Sequence, residues 1–344
     1  MRGGLTCRDR KKDHCHQRIV INNNLINGPG NVPPVPTPTI PPEPDICGKI
    51  YVADGRDRSI TVLDVATGEV IRTIPLSGNP FSAYVNQDKR QLYVIDSFEG
   101  LLEVIDVETD EVVQTIRVAF GADIATNLVY DPVQDIIYIT VSSGIRLLDA
   151  NTFEQVGFIN TNASASNPYD IARDSVTGYV YVTNSFGNFV YVIDGSTIIG
   201  QIPVGQNPNQ ITIDLTTRRA YVSNHGSRDV PVIDLTTSQV IATITTGNVT
   251  PYRTAVDVAT NTVYTALNNG TVAVIDGDTN TIIDYIDVGG FPRAIAINAI
   301  DRLAYVSNNL DNTVSVIDLN TCEVIVTIPV GNGPYGIGIY QFPC

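Results

Sequence analysis

The chain has 344 residues and a formal net charge of −15, with 43% apolar and only 17% charged residues. That is apolar enough for a large core, yet no stretch approaches the roughly 18 consecutive apolar residues a membrane span requires. The acidity argues against nucleic acid as a partner, because such affinity comes largely from neutralising phosphates.

Residues 1–47 depart from the rest. They hold six Lys/Arg and four acids, which leaves −17 for the remainder of the chain. Residues 1–18 are basic, with Cys7, Cys15 and two of the three histidines, and no apolar run follows of the kind a secretory signal peptide needs. The Cys-x7-Cys spacing, with His14 and His16 flanking Cys15, matches no closed zinc set, so no metal is expected and disulfide crosslinking is the preferred reading. Next comes IVINNNLIN (19–27), which reads as one β-strand with Ile19, Val20, Ile21, Leu25 and Ile26 around an Asn centre. Residues 28–46 contain eight prolines. At polyproline II rise they span roughly 55–60 Å, enough to carry the strand away from its own domain. An apolar strand without a sheet is satisfied by adding to a neighbour, so the arm is expected to dock on another copy of the chain. The reading is a 1–27 arm, a 28–47 spacer and a 48–344 repeat domain.

The repeat domain declares itself by two markers. A strand with a leading tyrosine recurs at Tyr51, Tyr93, Tyr138, Tyr181, Tyr221, Tyr264 and Tyr305, with spacings of 42, 45, 43, 40, 43 and 41. An aspartate ending an apolar run recurs at Asp64, Asp106, Asp149, Asp194, Asp234, Asp276 and Asp318. A period near 42 built of short alternating runs gives four strands per unit, so the chain is all-β and forms a seven-bladed propeller. In the seventh unit the strands are PRAIAIN, LAYVSN, NTVSVID and EVIVTIPV, joined by turns rich in Asp, Thr and Gly. Glycine-proline segments such as GNP (78–80), GQNP (205–208) and GNGP (331–334) lead into the next unit.

YVTN (181–184), YVSN (221–224 and 305–308), VSVID (314–318) and IPVGNGPYGIGI (328–339) resemble the YVTN family of β-propeller repeats, over about residues 49–340. The resemblance implies a microbial surface or binding protein, with lactonases and cofactor-binding redox domains among related seven-bladed propellers. Its residues are packing and turn residues, so it specifies fold far more than function.

Blade one lacks an inner strand at its start, and PYGIGIY (334–340) supplies an eighth inner-strand motif at the C-terminus. Pairing it with 49–54 closes the ring and removes two sheet edges. Counting the thirteen residues from Pro292 to Tyr305 onward from Pro334 brings Cys47 beside Cys344, so these two are expected to bridge. Cys322, in the turn before the last outer strand, is expected on the exposed rim, a crosslinking candidate with Cys7 and Cys15.

Catalytic signals are sparse. His225, in the loop NHGSRD, is the propeller's sole histidine and has no paired acid in the sequence. Asp54, Asp96, Asn184, Asn224 and Asn308 occupy equivalent loop positions, but Val141 and Leu267 interrupt the series, so they read as turn residues rather than a ligand ring. The sequons at Asn162, Asn248 and Asn269 carry little weight. No cofactor and no enzyme activity are expected. The leading expectation is a self-assembling subunit of an extracellular or spore-surface fibre or layer, a homopolymer whose arm docks on the next copy with disulfide locking. A surface-tethered module binding glycan or protein is the alternative, with a lactonase-type enzyme behind it.

Overall fold

The computed structural model describes residues 46–161 and 166–343. The arm, its donor-strand residues Ile19, Val20, Ile21, Leu25 and Ile26, and Cys7, Cys15 and Cys344 lie outside the described residues. Among the described residues, twenty-eight strands, from β1 (Ile46–Asp54) to β28 (Pro334–Pro343), form seven antiparallel four-stranded sheets. The first sheet has the order β28, β1, β2 (Ser59–Asp64), β3 (Val70–Pro75), so the two ends of the propeller share one blade. Tyr51 stands opposite Gly338, and Cys47 opposite Phe342. The strand begins two residues before the domain boundary read at 48, and neither Cys47 nor Cys322 is without a partner.

Burial explains the apolar pattern. The second and third strands of each blade are covered on both faces, as in SITVLD of β2, while outer strands such as VIRTIP of β3 are mostly exposed. All seven repeat tyrosines are 0–1% exposed and are the largest fully buried side chains. Several reach the next blade. The Tyr51 hydroxyl donates to Asp110 (2.9 Å), that of Tyr138 to the Gly195 carbonyl (3.1 Å), and Tyr93 packs edge-on against Phe153 (6.3 Å).

The partners on the far side are hairpin-turn residues, and this corrects the reading of Cys322. In the turn between third and fourth strands, an Asp accepts the N–H two residues on, as Asp64 does from Ala66 and Asp318 from Asn320. The fourth residue then takes a left-handed conformation: Gly68, Asp110, Phe153, Ser238, Asn280 and Cys322 have φ between 55° and 70°. The Cys322 side chain at this position lies inward. Its Sγ lies 4.0 Å from the Tyr264 hydroxyl of the preceding blade, and the residue is only 6% exposed, so it is not a rim thiol.

Linker glycines have an equally specific cause. A Cβ on Gly331 would sit 2.5 Å from the Asp54 carboxyl carbon, and one on Gly205 or Gly289 would meet Asn224 or Asn308. The loop residues Asp54, Asp96, Asn184, Asn224 and Asn308 are all 0–1% exposed and fill the space those linkers cross. They are turn and linker supports, and they do not ring the channel.

Ion pairs join neighbouring blades on the opposite side, with Asp131–Arg173 (2.9 Å), Asp174–Arg218 (2.6 Å) and Asp257–Arg302 all using buried carboxylates. Burial alone would raise the pKa of Asp174, but hydrogen bonds from Arg218 and Thr177 hold it at about 2. Its contribution is therefore complete above the ordinary carboxylate range and is lost as pH falls from about 5 toward 2. Denaturation midpoints of the wild type should drop more steeply over that window than those of Asp174→Asn; parallel curves would contradict the assignment. Gly331→Ala should cost about 1–3 kcal/mol through overpacking, read as a lowered urea midpoint with an unchanged slope.

Candidate ligand site at the channel mouth

Six of the seven inner strands open with the same local construction, the third blade having Ala125 in place of the proline. Pro80, Pro168, Pro208, Pro251 and Pro292 pair with the ends of their neighbouring second strands, and Pro334 pairs with Asp54. The register then slips immediately afterwards in every one of these pairs. A bulge leaves a residue out of the ladder and re-aims its side chain. Here the residues just after the prolines, Phe81, Tyr169, Asn209, Tyr252, Arg293 and Tyr335, collect around one hollow at the channel mouth.

The collar is aromatic and cationic. Phe81 packs against Tyr335 (ring centroids 4.9 Å apart) and Tyr169 (6.2 Å). The Arg293 guanidinium carbon lies 4.4 Å from the Tyr252 ring, 4.2 Å from Phe291 and 4.9 Å from Tyr335. These are cation–π distances, and they hold the guanidinium in place without neutralising it. Arg253 lines both this hollow and the channel below, with Asn127, Asp170 and Gln210. Neither arginine forms an ion pair with a described residue, although the charge of Asp170 is felt at Arg253. Burial pushes the Asp170 carboxyl upward in pKa, opposed by Arg253 and by the Ile211 N–H (2.9 Å).

His225 stands beside the collar, its ring centroid 4.5 Å from that of Tyr252. Burial, then the positive charge of Arg293, lowers its pKa to about 4, and its Nε2 has no hydrogen-bond partner among the described residues. A second hollow of about 450 Å³ adjoins the first. It shares Phe81 and Tyr335 and adds Pro80, Phe98, Ala122 and Ile124, with Phe98 84% exposed.

Of the residues singled out from sequence, only His225 falls at this site. Arg253, Arg293 and the aromatic collar were missed. The available signal was the residue following five of the six blade prolines, in NPF, NPY, TPY, FPR and GPY, where large side chains stand although inner strands otherwise favour small ones; Pro208 is followed by Asn209.

No family model matches the chain. An uncharacterised protein, YncE, of Salmonella typhi is 26% identical over 195 residues, and so is its counterpart in Salmonella typhimurium. The match covers 54% of this chain and 52% of theirs, so the chain spans about half the length of these curated relatives. Among solved structures, AztD of Citrobacter koseri aligns with TM-score 0.69 at 13% identity, over 86% of this chain and 98% of that one. A protein of unknown function from Desulfotomaculum acetoxidans gives 0.71 at 16%, over 85% and 98%. The dihydro-heme d1 dehydrogenase NirN gives 0.63 at 18%, over 82% of this chain and 63% of that chain. These likenesses carry the propeller fold and nothing finer.

A histidine that ionises near 4 in the fold and near 6.5 when unfolded withdraws stability as pH falls from about 6.5 toward 4. An NMR titration, with the His225 signal identified by its loss in His225→Asn, should show that signal unchanged from pH 8 to about 5.5. A midpoint near 6.5 would show the ring to be solvated.

Proposed function

We propose that the propeller is a non-catalytic binding module that holds an anionic ligand in its channel mouth. One observation carries the reading. In a chain of net charge −15, Arg253 and Arg293 converge on an aromatic collar without an ion-pair partner among the described residues. Buried or half-buried guanidinium groups ordinarily recover their lost hydration from a carboxylate, and an anionic ligand supplies that here. His225 supports binding over catalysis, since a base of pKa about 4 packed on Tyr252 draws protons weakly at neutral pH. Arg253→Gln with Arg293→Gln should abolish saturable binding of acetate and inorganic phosphate, followed by the His225 signal, while leaving the fold intact. Equal binding by the double variant would overturn the reading.

A second reading rests on the composition of the arm. Its first eighteen residues carry +4 against a body of −17, and a proline-rich segment separates the apolar sequence 19–27 from the propeller. This supports a homopolymer at the cell or spore surface, built by arm docking that charge steers and disulfides lock. Removing residues 1–27 should leave a folded propeller and abolish assembly. Polymers of unchanged form from the truncated chain, seen by negative-stain microscopy, would make the arm a bystander.

A further inference from the structure

The anion-binding hollow does not stand alone. Phe81 and Tyr335 form its wall on one side, and their other sides line the second hollow of about 450 Å³. The Arg293 guanidinium is 4.9 Å from the Tyr335 ring, and Tyr335 is 4.9 Å from Phe81, so cationic and apolar compartments meet across a single pair of rings. The second compartment is mostly apolar: Pro80, Phe98, Ala122 and Ile124 furnish its surface, with Phe98 84% and Ile124 50% exposed. Neither residue is needed by the blade core, whose own positions are filled by fully buried Leu102, Val104 and Ile139. The one acid in the cleft, Asp123, is turned aside, accepting hydrogen bonds from the Ser143 N–H (3.1 Å) and hydroxyl (2.7 Å). An exposed apolar patch next to two arginines that form no ion pair with a described residue is not explained by folding, and such patches mark ligand surfaces.

We infer that the ligand is an amphipathic carboxylate, with its acid group on Arg253 and Arg293 and an acyl or aryl body laid over Tyr335 and Phe81 into the Phe98 cleft. The inference deepens the anion-binding reading and rests on it. A sugar or an inorganic anion would use the collar but leave the cleft empty. A long peptide strand would need a sheet edge, and both compartments are built from side chains and loops.

The test uses the full chain and a graded series of acetate, butanoate, hexanoate and octanoate, with octan-1-ol as the uncharged control, measured by calorimetry and by the His225 resonance. Each methylene that leaves water should raise affinity about fourfold, so octanoate should bind at least roughly a hundredfold more tightly than acetate. Phe98→Ser should remove most of that gain and leave acetate affinity unchanged. Arg293→Gln should weaken every acid about equally and not affect octan-1-ol. If acetate and octanoate bind alike and Phe98→Ser changes neither, the amphipathic ligand is wrong while the anion site stands. If octan-1-ol binds as well as octanoate and Arg293→Gln has no effect, the cationic half fails. If no acid of the series binds, both readings fall.

Discussion

The pairing of the first strand with the last, Ile46 opposite Pro343 through Asp54 opposite Pro334, is the contact on which the rest depends. Without it blade one has three strands and an open edge, and the seventh blade meets the first through the cluster of Tyr305 and Val316 with Ile50 and Leu63 and through linker hydrogen bonds such as Asn332 N–H to Asp57 (2.7 Å). The closing strand is also an inner strand, so the interaction that completes the ring completes the channel. Tyr335 enters the mouth from it, and Gly336 lets it approach blade two, where a Cβ would fall 2.7 Å from the Ala83 nitrogen. Ring closure and ligand site are therefore one piece of chain. Fraying of β28 would dissolve the wall shared by the two hollows before it disturbed the other blades.

Around the ring, several blades are fastened to their neighbours at two depths. Buried tyrosines reach the next hairpin turn, and ion pairs such as Asp174–Arg218 join the turns on the side away from the mouth. The turn position that meets the tyrosine is filled by Asp110, Phe153 or Cys322, residues alike only in accepting a left-handed backbone. Its chemistry is set by the partner and its conformation by the hairpin. This is why a cysteine placed by its loop location as exposed proves to be interior. A turn is solvent-facing on average, but in a propeller one side of every blade turn faces another blade.

The seven tyrosines, the hairpin aspartates and the closing motif were legible because they repeat, and repetition at a fixed period leaves few folds available. The collar was not legible for the opposite reason. Phe81, Tyr169, Asn209, Tyr252, Arg293 and Tyr335 share a position but vary between aromatic, amide and guanidinium side chains, so the repeat motif does not mark them. Only the register slip after each proline reveals that the position faces the channel, and a slip is a property of strand pairing that a single strand's pattern does not record. The linker glycines lay between these cases. Their recurrence was visible, but its cause, the Asp54 and Asn224 side chains filling the path, required neighbouring segments to be placed together.

The charge of the whole molecule and the charge of the site point in opposite directions, and their different ranges decide which matters. At physiological ionic strength the field of a net charge fades within about 8–10 Å, so an approaching acid is repelled only near the surface. At the mouth, Arg253 and the ring-framed guanidinium of Arg293 would act over contact distances in a setting poorer in water, where a charge–charge term is several times larger than in bulk. If the mouth holds an anion as proposed, the acidic body would hold off polyanions near its surface, since they are repelled in proportion to their charge. A singly charged acid with an apolar body pays little at the surface and gains at both hollows. On the proposed reading, an acidic propeller with a cationic, aromatic mouth favours small, singly charged ligands, through repulsion confined to the surface and contact at the mouth.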